Sequence, residues 1–270
     1  MFELTKDQFQ CVNALLPQEE GYVEPKAVID LNNPGWVFVD SKINPSLALI
    51  WSQGIEGFYL LGRQIERYAE NLNSFIDTFV RPKLLSRNIE YFEVSSVPPI
   101  TNTELQSVFK QRKLNEWTQS VYLYKKGNRV DDLIVQEGHL CDIKEIGKKY
   151  PVKNMEFVKN KILNYWHSMD TFHSNAKGFC LLIDDMVVSL ALTGWIAGKM
   201  HEISIETADG YRCKGFAKIC ATALVNYYLE QGYLPYWECE KDNIASAKLA
   251  ENLDFSKLYD YSCFGFSILD

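Results

Sequence analysis

The sequence predicts a mixed α/β fold in two lobes, with a mixed sheet of α+β type. Two observations in the C-terminal half carry this prediction. Apolar and polar residues alternate in M-H-E-I-S-I, from Met200 to Ile205, as is typical of a half-buried strand. The run from Lys218 to Glu230 has the apolar spacing of a helix, and a short segment rich in small residues joins the two. A strand followed directly by a helix indicates the α/β class.

The turn between this strand and this helix predicts an anion site. Backbone N–H groups at a helix start have no intrahelical partner and carry partial positive charge, which suits a phosphate group. Arg212 and Lys214 add positive charge there, while Gly215 and Ala217 allow a ligand to approach the backbone closely.

The composition is that of a globular protein. The 270 residues, 23% charged and 47% hydrophobic, are enough for one large or two ordinary domains. The net charge of −7 argues against nucleic acid and anionic membranes as partners and suits a cationic substrate better. Seven scattered cysteines and the absence of a signal peptide predict reduced thiols and a cytoplasmic location, and no apolar run is long enough to span a membrane.

Strand and helix signals alternate along the N-terminal half. Turn residues such as Asn33-Pro34-Gly35 separate segments of strand-like or helix-like apolar spacing. In chain order they predict a helix over 5–16, strands over 36–40, 47–52 and 57–62, a helix over 65–80, a strand over 91–95, a helix over 102–113 and a strand over 117–124. Asn102 or Thr103 would cap the third helix. The polar run Lys125 to Arg129 is either a hairpin turn or a boundary between lobes at 1–128 and 129–270.

The C-terminal half has the clearer pattern. Gly232 stands where a C-terminal helix cap belongs, and Asp242-Asn243 caps the next helix. The segments predicted around them are a strand over 133–135, helices over 142–149 and 155–169, a hairpin of strands over 178–183 and 186–192, the central strand ending at 207, the long helix, a strand over 236–239, a helix over 244–253, and strands over 255–258 and 263–269.

This order of elements, with Arg212-x-x-Gly215-x-Ala217 at its centre, resembles the GNAT (Gcn5-related) N-acetyltransferase family. The phosphate loop of that family has Gln or Arg, then Gly, then Gly or Ala at these three positions. Asn243 and Leu253-Asp254-Phe255 are similar to a helix that opens with Asn and closes with Leu-Gly-Phe, with Asp254 replacing the Gly. The sequence around these motifs resembles the branch of the family typified by zwittermicin A resistance proteins.

The resemblance implies a GNAT fold in the C-terminal half and acetyl-CoA as the donor. The N-terminal α/β lobe would be a degenerate GNAT-like domain that lacks a phosphate loop and shapes the acceptor pocket. The pyrophosphate would rest on backbone N–H groups of the loop, and the pantetheine arm would lie where the central strand separates from the strand over 236–239. The cofactor-binding residues so implied are Ile205, Thr207, Arg212, Cys213, Lys214, Gly215, Phe216, Ala217, Asn243 and Ser246.

Acetyl transfer to an amine also needs a group that accepts a proton. Alternation places Glu202 and Glu206 on one face of the central strand and His201 on the other, and a bulge, common in this strand of the family, would switch that parity. Glu206 or Glu202 is the expected base, directly or through water, with His201 third. The alternatives are that Glu206 faces solvent or pairs with Arg212, that Glu202 holds a loop, and that His201 is packed.

The acid that would protonate the leaving thiolate has fewer candidates. Many family members have a Tyr where this chain has Ala250, so Tyr259, with Tyr261 beside it, is the expected substitute. The thiolate can also leave unaided, because a thiol is a modest acid. An aromatic and acidic cluster could bind an ammonium group or form a solvated strand end; its members are Trp237, Glu238, Glu240 and Asp242.

The leading hypothesis is a cytoplasmic N-acetyltransferase that acts on a small-molecule amine, with no nucleic acid, membrane or metal partner. Its alternative is a catalytically silent acyl-CoA-binding sensor, which Ala250 favours. A two-lobed transferase that uses aminoacyl-tRNA would explain two α/β halves, but the chain has no basic tract for tRNA.

Overall fold

The computed structural model describes residues 1–17, 21–98, 100–125, 129–131 and 133–269. The chain forms two compact units, one of Met1–Gln119 with Asp260–Asp270 and the other of Ser120–Tyr259. The lobe boundary predicted after residue 128 falls beside residues 126–128, which lie outside the described residues, and the division at that point stays a prediction.

Strands and helices follow each other along both units. The strands are β1 (Phe2–Glu3), β2 (Gly35–Val39), β3 (Leu47–Ser52), β4 (Gly57–Gly62), β5 (Tyr91–Ser96), β6 (Asn115–Tyr124), β7 (His139–Asp142), β8 (Gly178–Ile183), β9 (Met186–Ala197), β10 (Met200–Thr207), β11 (Leu234–Glu240) and β12 (Phe255–Ser267). The α-helices are α1 (Val23–Ile29), α2 (Ala69–Phe75), α3 (Arg81–Leu85), α4 (Asn102–Val108), α5 (Met155–Tyr165), α6 (Met169–Asn175), α7 (Phe216–Glu230) and α8 (Ile244–Asn252). Segments Lys6–Leu15 and Ile65–Tyr68 are 3₁₀ helices, and Ile76–Val80 is a π-helical turn.

The sheet of the first unit has the strand order β1-β2-β3-β4-β5-β12. Neighbouring strands are antiparallel except for β4 and β5, which are parallel. Alternate residues of β3 enter different cores: Leu49 and Trp51 pack with the 65–85 segment, and Ala48 and Ile50 pack with Val28 of α1. Helical segments therefore cover both faces, which is why all six residues of β3 are buried.

Two elements of the first unit differ from their predictions. The cap of α4 is Thr101, whose hydroxyl accepts from the backbone N–H of Glu104 in a capping box, and the helix ends at Val108 rather than near 113. The last two predicted strands form one strand, β12. Phe264 and Phe266 from this strand lie in the core of the first unit.

The sheet of the second unit has the strand order β7-β8-β9-β10-β11-β6, with β10 and β11 parallel. Strands β7 to β10 form an antiparallel series. The helix predicted over 142–149 is a set of turns, and residues 133–135 form no strand. The helix predicted over 155–169 splits into α5 and α6, because Trp166 is extended and Ser168 caps α6 by accepting from the N–H of Thr171.

Both units repeat one topology. Each has a strand, two helical segments, three antiparallel strands, a helical segment, a strand parallel to the one before it and a further helix, and each sheet is completed by a strand from near the end of a sequence half. Within the described residues, no helix has both the length and the apolar character needed to cross a membrane.

Candidate active site

Strands β10 and β11 pair only over their first residues. Their parallel register runs from Met200 opposite Leu234 to Glu202 opposite Tyr236. Beyond this point β10 continues to Thr207 and β11 to Glu240 without further paired residues in that register. The expected separation of the two strands therefore begins directly after Glu202.

A bulge lies beside Glu202, but on the neighbouring strand. His201 is opposite Ile196 and Ile203 is opposite Thr193, so Glu202 faces two residues of β9, Gly194 and Trp195. The extra residue belongs to β9, and β10 keeps its alternation. The expectation that a bulge in β10 itself would switch the parity of its side chains is wrong.

The two faces of β10 meet different helices. On one face, Ser204 donates a hydrogen bond to the hydroxyl oxygen of Tyr165 at 2.9 Å, and Glu206 pairs with Lys161 at 3.6 Å, both partners lying on α5. On the opposite face, Ile203 packs with α7 in a core that includes Cys220, Leu224 and Tyr228. Glu202, Ser204 and Glu206 thus share the α5 face.

Glu202 is a buried carboxyl group, with 3% of its surface exposed. Burial raises its pKa to about 8, and the negative charge of Glu238 adds to the increase. Lys161 and the backbone N–H groups of Trp195 and Gly194 act in the opposite sense. Its Oε2 atom has no hydrogen-bond partner among the described residues.

Gly194 makes room for this carboxyl group. A Cβ atom at position 194 would lie 2.0 Å from Oε2 of Glu202 and 3.3 Å from Cδ1 of Tyr165. Only glycine therefore fits the bulge while Glu202 keeps its place. An isolated glycine inside a strand pattern is a signal of such a close approach.

Glu206 has a different environment from Glu202. It is partly exposed, and besides Lys161 it has Arg212 as a second cation at 3.9 Å. Arg212 lies closer to Asp209, at 3.1 Å. Glu206 is thus a paired surface carboxylate.

His201 is packed against aromatic rings on the α7 side. It stacks on Tyr233 with ring centroids 3.9 Å apart, and Tyr228 meets it edge-on. Burial lowers its pKa to about 4, so it is neutral at physiological pH. It lies on the opposite face of β10 from Glu202.

The loop between β10 and α7 is exposed and has an unusual backbone. Cys213 and Gly215 adopt the left-handed region with φ of 61° and 80°, and Gly215 is the N-cap of α7. Arg212, Cys213, Lys214 and Gly215 are all exposed. Phe216 is buried in the core and is the first residue of α7, so only its backbone could contact a ligand, and Ala217 follows it in the first turn. The loop thus presents successive N–H groups at a helix start.

The remaining expected residues lie on three further elements. Asn243 caps α8 by accepting from the N–H of Ser246 at 3.1 Å, and Ser246 Oγ accepts from the Trp237 indole N–H at 3.0 Å. Thr207 Oγ1 is 2.8 Å from Ser189 Oγ, and Ile205 packs against the α7 core. Tyr259 is on β12.

Three residues beside the candidate site could not be identified from the sequence: Lys161 and Tyr165 of α5, and Gly194 of β9. Lys161 and Tyr165 are one turn apart on α5, and the lysine Nζ lies 5.7 Å from the tyrosine ring centroid. Their spacing was visible in the sequence, but nothing local indicated that they meet β10. Gly194 carried a signal, because it is a single glycine in the mostly apolar run Leu190 to Ala197, two residues beyond the strand predicted over 186–192.

Comparison with known proteins gives consistent matches over nearly the whole chain. A sequence model described as GNAT acetyltransferase matches residues 13–264. The uncharacterized N-acetyltransferase YdfB of Bacillus subtilis (strain 168) is 24% identical over 263 residues, 97% of each chain.

Two solved structures share the fold. A GCN5-related N-acetyltransferase-like protein from Streptococcus suis has a TM-score of 0.66 at 18% identity, covering 96% of this chain and 98% of the other. A tandem GNAT protein from the clavulanic acid biosynthesis pathway has a TM-score of 0.58 at 10% identity, covering 97% and 93%. At sequence identities this low, the structural similarity shows a shared fold and nothing further.

Proposed function

Since this chain belongs to the GNAT acetyltransferase family, we propose that it transfers the acetyl group of acetyl-CoA to the amino group of a small molecule. The observation that carries the proposal is a buried carboxyl group, Glu202, at the point where two parallel strands separate. The family implies an acyl-CoA donor, and the resemblance to zwittermicin A resistance proteins favours amino-acid-derived or antibiotic acceptors.

The donor would bind along β10 and the loop after it. Backbone N–H groups from Arg212 to Ala217 would hold the pyrophosphate, with Arg212 and Lys214 adding charge. The pantetheine arm would pair with the unpaired edge at Ile205 and Thr207. Asn243 has its Oδ1 in the helix cap, so its contact with the donor would be through Nδ2.

Glu202 would be the base of the reaction. A primary ammonium gives one proton to the Glu202 carboxylate, and the neutral amine attacks the thioester carbon, forming the C–N bond. The tetrahedral intermediate then breaks the C–S bond, and the proton lost by the new amide nitrogen balances the charge of the CoA thiolate. Amide, CoA thiol and one proton are the products of an ammonium ion and acetyl-CoA.

The acid of this reaction is Tyr259 in our proposal, or none if the thiolate leaves unaided. Ala250, at the position where many family members have Tyr, is fully buried in the core with Leu253 and Phe255 and carries no acid. Glu206 would balance the positive charges of Lys161 and Arg212 and would not transfer a proton.

The first unit would be a GNAT-like lobe without a donor site. Its parallel pair stays paired to the end of β5, from Phe58 opposite Val94 to Leu60 opposite Ser96. Only Arg63 and Gln64 connect β4 to the next helical segment, where the second unit has an eight-residue loop over 208–215. Neither the strand separation nor the phosphate loop of the second unit has a counterpart there.

The proposal is tested by measuring CoA thiol release and acetylated product across a panel of amines, together with acetyl-CoA affinity by calorimetry. Arg212→Ala should weaken acetyl-CoA binding about tenfold, because it removes a phosphate partner. Lys199→Ala is the matched control, since Lys199 is an exposed cation at the β9–β10 turn. If Arg212→Ala and Lys199→Ala bind acetyl-CoA with equal affinity, the loop does not bind the phosphates of the donor as proposed. Donor binding without turnover of any amine would instead favour the acyl-CoA sensor.

A further inference from the structure

A cavity of about 750 Å³ lies within the first unit. It is at the carboxyl ends of the parallel strands β4 and β5, where Gly62 ends β4 and Pro98 follows β5. In open α/β sheets, ligands commonly bind outside the carboxyl ends of such strands. The volume is within the range of small-molecule sites, roughly 300–1,000 Å³. The proposed acetyl transfer uses none of the residues that line this cavity.

Arg67 is held at the wall of the cavity by a series of hydrogen bonds. Its Nη2 donates to the hydroxyl oxygen of Tyr68 at 2.8 Å, and that hydroxyl donates to Oδ2 of Asp40 at 3.1 Å. Oδ1 of Asp40 accepts from the backbone N–H groups of Ser46 and Leu47, so the same carboxylate fixes a turn that also lines the cavity. Arg67 is therefore positioned by its neighbours, while its remaining guanidinium N–H groups have no partner among the described residues.

Arg63 adds a second cation to the same wall. Its side chain is exposed, and within the described part of the chain it makes no hydrogen bond or ion pair. A Cβ atom at Gly62, where φ is 146°, would lie 2.6 Å from the carbonyl oxygen of Ser46, so β4 ends in close contact with the turn at 45–46. Gln64 has a φ of 54°, in the left-handed region that residues with a side chain seldom adopt. This backbone course brings Arg63 and Arg67 to one cavity.

The rest of the wall is mostly apolar, and the described residues that line the cavity include no acidic side chain. Its apolar members are at the end of the first 3₁₀ helix and at two turns, and they include Leu15, Leu16, Pro17, Pro45 and Pro98. Arginine guanidinium groups bind carboxylates and phosphates through paired hydrogen bonds. Two arginines beside an apolar wall therefore suit a ligand that has both an anionic group and an apolar part.

From these contacts we propose that the first unit binds a small organic anion. A carboxylate or phosphate group contacts Arg63 and Arg67, and the apolar part of the ligand packs on the leucine and proline side chains. This site is separate from the proposed acetyl transfer, because none of its residues belongs to the proposed donor site or is a candidate base.

The experiment measures binding of matched probes to the intact chain by calorimetry. Hexanoate, hexyl phosphate and hexan-1-ol share a six-carbon chain and differ in the head group, and inorganic phosphate lacks the chain. We expect saturable binding of an anion, with the tighter of the two anions identifying the head group, and no saturable binding of the alcohol. Absence of saturable binding by both anions, or equal binding of hexan-1-ol, would overturn the proposal. Inorganic phosphate bound as tightly as hexyl phosphate would overturn the role of the apolar wall.

Variants then assign the binding to the cavity. Arg63→Gln changes no described side-chain contact and should lower the affinity for the tighter anion about tenfold, because it removes a charge-assisted hydrogen bond. Arg67→Gln should have a similar effect. Lys110→Gln removes an exposed cation of the same unit outside the cavity and should leave the affinity unchanged, as should Arg212→Ala.

Two outcomes with these variants would overturn the proposal. An equal loss of affinity in Lys110→Gln and Arg63→Gln would show attraction to the general charge of the unit. A loss confined to Arg212→Ala would place the anion on the loop of the second unit. Acetyl transfer is not measured here, so a failure of the proposed function leaves this test intact.

Discussion

Glu202 has an environment that lowers stability and suits the base that we propose it to be. Its carboxyl group is removed from water, adjoins a second carboxylate and is only partly compensated by Lys161. A group whose pKa is near 8 can take and release protons close to physiological pH, as a base must. Glu206, which is partly exposed and paired with two cations, lacks these conditions. On this contrast we propose Glu202, rather than Glu206, as the base.

Glu202→Gln should raise stability while lowering activity. Below about pH 4.5 the carboxyl group is protonated in both the folded and the unfolded chain. Between that pH and about 8, the unfolded chain loses the proton and the folded chain keeps it, so the free energy of unfolding falls as pH rises. Removing the group should raise the free energy of unfolding at pH 8 by on the order of 2 kcal/mol. Thermal unfolding at pH 5 and pH 8 measures this, and a variant that is less stable at pH 8 would contradict it.

At the scale of elements, the alternation of β10 agrees with the structure, whereas capping residues identify one helix start, Asn243 of α8, and miss another, Thr101 of α4. The pattern of β10 placed Glu202 and Glu206 on one face, and the α5 contacts of Glu206 and Ser204 agree. Asn243 was recognised as a cap because its side-chain oxygen can reach the helix N–H groups. The bulge was assigned to the wrong strand, since which strand carries an extra residue depends on pairing. The break at Trp166, whose indole donates to Thr193, likewise depends on a distant partner.

Asn243 allows its cap and its expected donor contact to be separated. Asn243→Ala should destabilise the protein by about 1 kcal/mol through loss of the cap on α8. Asn243→Asp keeps the capping oxygen and should retain stability, but it replaces the amide donor with a negative charge and should weaken acetyl-CoA binding. Thermal unfolding and calorimetry report the two effects independently. Unchanged affinity in Asn243→Asp would remove Asn243 from the donor site.

For the whole molecule, local sequence signals could not reveal where each sheet ends. The polar run Lys125 to Arg129 predicts a boundary after residue 128, but no local signal predicts that Asp260–Asp270 belongs to the first compact unit. Phe264 and Phe266 have an ordinary strand pattern, and no local feature says that they pack with Phe92 and Phe109. The proposed phosphate loop, by contrast, could be located from the sequence because its spacing, Arg212-x-x-Gly215-x-Ala217, is local. Local sequence signals thus support a proposal for the donor side of the candidate site and give none for the acceptor side.

The C-terminal strand should be needed for the first unit to fold. Phe266→Ala should cost about 3–5 kcal/mol, because it leaves a cavity in a closed aromatic core. Phe266→Leu, which keeps most of the volume, should cost much less. Hydrogen exchange of β2 to β5 measures the effect. Full protection of those strands in Phe266→Ala would show that the first unit does not depend on β12.

The pH dependence of acetyl transfer tests the central claim, that Glu202 is the base at the separation of β10 and β11. In the wild type, kcat/KM for an amine acceptor should rise with pH through a pKa near 8, because Glu202 must be deprotonated. Glu202→Gln should abolish this rise of kcat/KM with pH and lower kcat by about 10²-fold or more, with acetyl-CoA affinity unchanged. A Glu202→Gln enzyme that keeps both the wild-type kcat and the rise of kcat/KM near pH 8 would contradict the account.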